Sequence, residues 1–206
     1  MVHTGLVVER IGIFGGTFDP PHTGHVMVAA EVRDRLRLDR MLVVVAGDPW
    51  QKADAVVALA RDRLELASVA FGDVAGVEVS AIEVDRAGPT YTIDTVEELS
   101  APGRDLVVVL GADAAARLPT WHRAAELARL VTIAIVARAH EHIEHIDGFR
   151  IEHVAVPMFE ISSSEVRARL AAGRPIDGLV PAAVIREVRA RRLYTAGDDA
   201  GDERGS

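Results

Sequence analysis

The chain has no cysteine and no asparagine, a single glutamine (Gln51) and a single lysine (Lys52). Without cysteine there is no disulfide framework and no thiol chemistry. No apolar run approaches the ~20 residues of a membrane helix. The first ten residues, "MVHTGLVVER", lack the charged start and apolar stretch of a signal peptide. The expectation is a soluble cytoplasmic protein without a membrane partner. Basic charge is also scarce: 23 Lys and Arg face 31 Asp and Glu, for a net charge of −8. The tail "GDDAGDERGS" supplies −3 of it (Asp198, Asp199, Asp202 and Glu203 against Arg204), leaving −5 for the rest. That balance excludes the basic face of a general nucleic-acid binder. The tail is polar and Gly-rich, so residues 196–206 are predicted to be a disordered acidic segment.

What is present is apolar. Residues of that kind make up 49% of the 206, enough for a sizeable core in one domain spanning residues 1–195. Short Val/Ile-rich runs at 10–14, 41–46, 77–84, 105–110, 131–137 and 151–156 read as strands buried on both faces. Between them, 25–37, 60–71, 92–99 and 123–130 show apolar residues at helical spacing. Two more helices, 163–173 and 181–194, close the pattern. Strand–helix alternation predicts an α/β, Rossmann-like, doubly wound fold: a mainly parallel sheet with helices on both faces. Ligands of such sheets bind beyond the carboxyl ends of the strands, so the loops after strands are where chemistry is sought.

The first such loop is "GGTFDPPHTGH", 15–25. Gly15 and Gly16 follow the strand directly and let a phosphate approach backbone N–H groups. Pro20 and Pro21 reduce loop freedom. His25 falls in the first turn of the next helix with His22 just ahead, where the helix terminus favours an anion. A phosphate there favours protonated imidazole. The glycines are adjacent and no third one follows at the right spacing, so the dinucleotide fingerprint of NAD-dependent oxidoreductases is absent.

Near the other end, "SSSE" at 162–165 fits a capping box opening a helix. Its N–H groups at Ser163 and Ser164 point outward from the helix start, and Arg167, one turn on, reaches the same anion. Lys52, after the second strand, stands out because the sequence writes arginine at the other 22 basic positions; a compact ammonium is required where a guanidinium does not fit. "HEHIEH" at 140–145 does not match H-E-x-x-H and reads as a polar loop rather than a metal site.

The string "GGTFDPPHTGH" resembles the signature of bacterial nicotinate-mononucleotide adenylyltransferases, which share the T/H-x-G-H element with a wider nucleotidyltransferase superfamily. "ISSSEVR" resembles that family's second signature, I-S-S-T-x-I-R, with Ser164 for Thr and Val166 for Ile. The resemblance extends from Ile11 to Tyr194. It implies AMP transfer from ATP to nicotinate mononucleotide, giving deamido-NAD and pyrophosphate in NAD biosynthesis, with Mg²⁺ carried on ATP. It further implies that Gly15, Gly16, Thr17, Phe18, His22, His25, Ser163, Ser164 and Arg167 hold ATP. His22, His25, Lys52 and Arg167 would act at the reacting phosphates. The nicotinate half would fall to Lys52, Tyr91, Thr92, Asp113 and Trp121, with Trp121 stacking on the pyridine, Thr92 receiving the ring carboxylate and Asp113 accepting from ribose. The residues alone leave Trp121 as a core aromatic and Thr92 as a helix cap. No protein residue is assigned to a metal.

Two alternatives remain. The acceptor can be nicotinamide mononucleotide, phosphopantetheine or FMN, or the chain can be a nucleotide sensor without turnover. The HTGH element is also found in class I aminoacyl-tRNA synthetases, but this chain is too short and lacks their lysine-rich signature. Whether the chain forms a homo-oligomer is open.

Overall fold

The computed structural model describes residues 8–48, 57–137, 145–157 and 160–195. Six strands form one sheet in the order β3-β2-β1-β4-β5-β6. They are β1 (Glu9–Gly16), β2 (Arg40–Val45), β3 (Val77–Ser80), β4 (Arg104–Gly111), β5 (Val131–Ala137) and β6 (Arg150–Ala155). Every pairing is parallel. This order is that of a doubly wound sheet, and its winding reverses between β1 and β4.

Each central strand alternates between two buried faces, as a period of two requires. In β2, Met41, Val43 and Val45 enter one core cluster, while Leu42 and Val44 enter the other. β4 divides the same way: Val107 and Val109 against Leu106, Val108 and Leu110. The first face is covered by α1 (Thr23–Arg35), α2 (Ala60–Phe71), α6 (Ser163–Ala171) and α7 (Ala182–Arg191). The second is covered by α3 (Thr92–Leu99), the single turn α4 (Ala112–Ala115), a 3₁₀ turn at Leu118–Thr120 and α5 (Ala124–Leu130). Both faces therefore carry helices, as the sequence predicts.

Two local expectations need correction. The strand read at 77–84 ends at Ser80, and 81–84 turns away instead. The capping box at 162–165 forms by half: Ser162 Oγ accepts from the Glu165 N–H at 3.1 Å, but the Glu165 carboxylate pairs with Arg169 at 3.0 Å. An (i, i+4) ion pair on the outer face competes for the same carboxylate. The one-turn α4 and the 3₁₀ turn were not predicted; four residues cannot display a helical period.

Candidate functional site

At the point where the winding reverses, β1 and β4 diverge and two cavities open beyond their carboxyl ends. One, of about 650 Å³, lies beside α1 and α6. The other, of about 190 Å³, lies beside α3. Gly15, Gly16, Thr17 and Leu110 line both, so the bend after β1 is the wall between them. The two adjacent glycines are needed for different reasons. A Cβ on Gly16 would press on the Phe18 ring at 2.8 Å, whereas a Cβ on Gly15 meets nothing within 4 Å and would stand in open cavity.

His22 is the N-cap of α1 and His25 lies in its first turn. Their rings stack with centroids 3.6 Å apart, and His25 Nδ1 accepts from the His22 backbone N–H at 3.1 Å. Gly24, between them, leaves room for this: a Cβ there would lie 3.1 Å from His22 Nδ1. His22 is buried, and Nδ1 has no hydrogen-bond partner among the described residues. Burial lowers its pKa to about 4. In the free protein at neutral pH the ring is therefore uncharged, and protonation awaits an anion. Phe18 differs from expectation. Its backbone turns through φ 51° and its ring is buried against Phe14, Phe71 and His25. The side chain is a core wedge supporting the His25 ring, so any contact it offers a ligand comes from its backbone.

On the far side of this cavity, Ser163 Oγ donates to the Pro20 carbonyl at 2.9 Å. Arg167 donates to the Asp19 carbonyl at 2.7 Å and to Ser164 Oγ at 3.3 Å. α6 is thereby fastened to the loop between β1 and α1, and Ser163, Ser164 and Arg167 face the histidines across the cavity. Asp113 lines this same cavity, not the one holding Tyr91 and Trp121, where the sequence reading groups it.

The smaller cavity gathers Tyr91, Thr92 and Trp121, as expected, together with Glu83, Thr90, Thr95 and His122. Thr92 is the first residue of α3 and makes no cap; Tyr91 is the N-cap. Its position leaves first-turn N–H groups available, because the opening residues of a helix lack intrahelical acceptors. Trp121 is partly buried. It packs against the second core cluster and lines the cavity, and its buried indole N–H has no partner among the described residues. His122 lies over Tyr91, with ring centroids 4.4 Å apart. Glu83 accepts from Thr95 Oγ1 at 2.8 Å, and Arg86 donates to the same hydroxyl at 3.0 Å. Burial raises the Glu83 pKa despite these partners.

A buried polar group beneath the bend escapes the motif reading. Arg63, in α2, is 1% exposed. It donates to the carbonyls of Thr17 at 2.7 Å, Gly47 at 3.1 Å and Ala58 at 3.2 Å. Burial lowers its pKa, opposed by the charge of Asp19. Asp19 is also 1% exposed. It accepts from the backbone N–H groups of Val57 and Ala58 and from the Tyr194 hydroxyl, the last at 2.7 Å. Burial, with Asp19 beside it, raises the Tyr194 pKa. The only sequence signal for Arg63 is a charge at an inward helical position, "ARDRLEL", next to Leu66 and Ala67. Lys52 and most of "HEHIEH" lie outside the described residues. Among the described residues, no group of three or more His, Cys, Asp or Glu side chains is placed to hold a metal ion. No helix among them is long and apolar enough to cross a membrane.

Comparison with known proteins gives a consistent result. A family model described as cytidylyltransferase-like matches residues 13–169. The "Probable nicotinate-nucleotide adenylyltransferase" of Corynebacterium kroppenstedtii is 40% identical over 206 residues, covering 97% of this chain and 98% of the relative. A protein of the same name from Streptomyces coelicolor is 41% identical, covering 87% and 98%. Among solved structures, the Plasmodium falciparum nicotinic acid mononucleotide adenylyltransferase complexed with NaAD superposes with a TM-score of 0.75 at 21% identity, over 90% of this chain and 97% of that one. Its complex with APC gives 0.72 at 20% identity over the same shares. At those identities the structural likeness speaks for the fold.

Proposed function

The chain belongs to the cytidylyltransferase-like family, and from that premise we infer that it is a nicotinate-nucleotide adenylyltransferase. It joins the AMP of ATP to nicotinate mononucleotide, giving deamido-NAD and pyrophosphate. The observation that carries this reading is the pair of cavities on either side of one glycine bend. The larger suits a triphosphate, offering imidazoles, a guanidinium and a helix start. The smaller suits a flat aromatic ring, offering Trp121, Tyr91 and the opening of α3.

In-line transfer needs no covalent intermediate. The acceptor phosphate is already ionised, so no general base is required. The protein places the two reactants and stabilises charge on the phosphoryl oxygens. His22 and His25 meet the ATP phosphates around the reacting centre. Arg167 and the N–H groups of Ser163 and Ser164 hold the departing pyrophosphate. The backbone of Gly15 to Phe18 lies along the nucleotide, and Lys52 is the proposed cation for the phosphates. Asp113, from the larger cavity, accepts from a ribose hydroxyl. Trp121 stacks on the pyridine, with Tyr91 beside it, and Thr92 with the first N–H groups of α3 receives the ring carboxylate.

Mg²⁺ would be carried on the triphosphate. The wall beside it offers His, Ser, Arg and one carboxylate, Asp113, which fits a cation that keeps most of its waters. When bound it neutralises charge on the phosphate oxygens. Use of ATP as donor supports a cytoplasmic setting for the reaction.

The test is pyrophosphate release from ATP with nicotinate or nicotinamide mononucleotide, run side by side. Release with the acid and little with the amide is expected. Release confined to the amide, to phosphopantetheine or to FMN would reassign the acceptor, and ATP binding without release would make the chain a sensor.

A further inference from the structure

We propose that Arg63 is a positioning residue for the transfer step, acting through the bend that separates the two cavities. The proposal rests on the reading of those cavities as donor and acceptor sites. Arg63 lines neither cavity, so it touches no substrate. One of its three hydrogen bonds reaches a residue that does, and the other two tie neighbouring backbone to it. Thr17 is in the shared wall, and its carbonyl takes the shortest of the three, at 2.7 Å. Gly47 and Ala58 lie in the two described parts of the connection from β2 to α2, and one guanidinium holds both to Thr17. Ala58 is clipped from the other side as well, since its N–H donates to Asp19. The Asp19 carbonyl in turn anchors Arg167, and the Tyr194 hydroxyl holds the Asp19 carboxylate.

The arrangement needs arginine in particular. A planar fork reaches three carbonyls in different directions, whereas an ammonium is a point charge on a flexible stem. Rigidity of this wall matters more for the reaction than for either binding event. Each substrate is held mainly by its own cavity, but the distance between attacking oxygen and α-phosphorus is set across the bend. A misplacement of about 1 Å costs on the order of a hundredfold in rate.

The experiment is Arg63→Lys, which keeps the charge facing Asp19, with Tyr194→Phe as a milder variant that removes one hydroxyl. Near-UV circular dichroism checks the fold. Calorimetry gives Kd for ATP and for the mononucleotide separately, and steady-state kinetics gives kcat with whichever acceptor the wild type uses, so the acceptor's identity is judged on the wild type alone. For Arg63→Lys the expected result is kcat reduced ~100-fold with both Kd values within about threefold of wild type. A folded variant with wild-type kcat, or one whose binding weakens as much as its rate, overturns the proposal. Should Arg63→Lys fail to fold, Tyr194→Phe decides: kcat down at least about fivefold with both affinities kept supports the assignment, and wild-type kcat overturns it.

Discussion

His22 gives the protein a defined sensitivity to acid. Its ring is buried at 7% exposure, and burial takes its pKa from 6.5 to about 4. The folded state therefore refuses a proton that the unfolded chain accepts as pH drops below about 6.5. Stability from this residue is complete above that value and is lost as pH falls toward 4. Integrating with these two pKa values between pH 7.5 and 4.5 gives a loss of about 2.5 kcal/mol. The perturbation is His22→Gln, which keeps a polar group and cannot titrate in this range. The assay is urea unfolding of both proteins across that interval, read as the difference in unfolding free energy. The wild type should lose about 2.5 kcal/mol relative to the variant on going to the lower pH. A difference that stays flat would refute the reasoning, since it would mean that the ring titrates alike in both states. A second arm uses ATP. Phosphate oxygens favour the charged imidazole, so ATP binding near pH 6 should take up a proton, seen as a binding enthalpy that varies with the ionisation enthalpy of the buffer.

Three other outcomes are expected. His25→Ala should lower kcat by ~10²–10³ while the Kd for ATP changes only a few-fold, because its contacts tighten in the transition state; equal losses in both would make it a binding group. Trp121→Ala should raise the acceptor KM by the equivalent of ~1–3 kcal/mol and leave the KM for ATP alone, checked by varying each substrate at saturating levels of the other. Glu83 has a raised pKa in the fold, so its ionised form costs stability, and that cost is absent at low pH and appears as pH rises through the folded value. Glu83→Gln should therefore raise Tm at pH 8, with the gain shrinking toward pH 4 in a thermal melt.

The sheet was legible because buried parallel strands advertise themselves as unbroken Val/Ile runs, and β5 matches its predicted 131–137 span at both ends. The 92–99 and 60–71 helices coincide likewise with α3 and α2. The lining of the larger cavity was legible because many of its residues lie together in two strings, around His22 and around Ser163. Asp19, Arg63 and Tyr194 were not. They are far apart in sequence and meet only in the fold; Arg63 and Asp19 bind backbone carbonyls and N–H groups, which carry no residue identity, and Tyr194 binds Asp19. Glu83 and His122 were missed for a related reason: a lone carboxylate after a short strand, or a histidine after a tryptophan, looks like plain surface until the fold sets it in a cavity wall.

The shared wall at Gly15–Thr17 also bears on how a catalytic cycle ends. A molecule made across it occupies both compartments with one covalent body, so each half holds the other at high effective concentration. Deamido-NAD is then expected to bind more tightly than nicotinate mononucleotide, and a stable mimic bridging the same partition to outbind a compound fitted to one compartment, both readable by calorimetry.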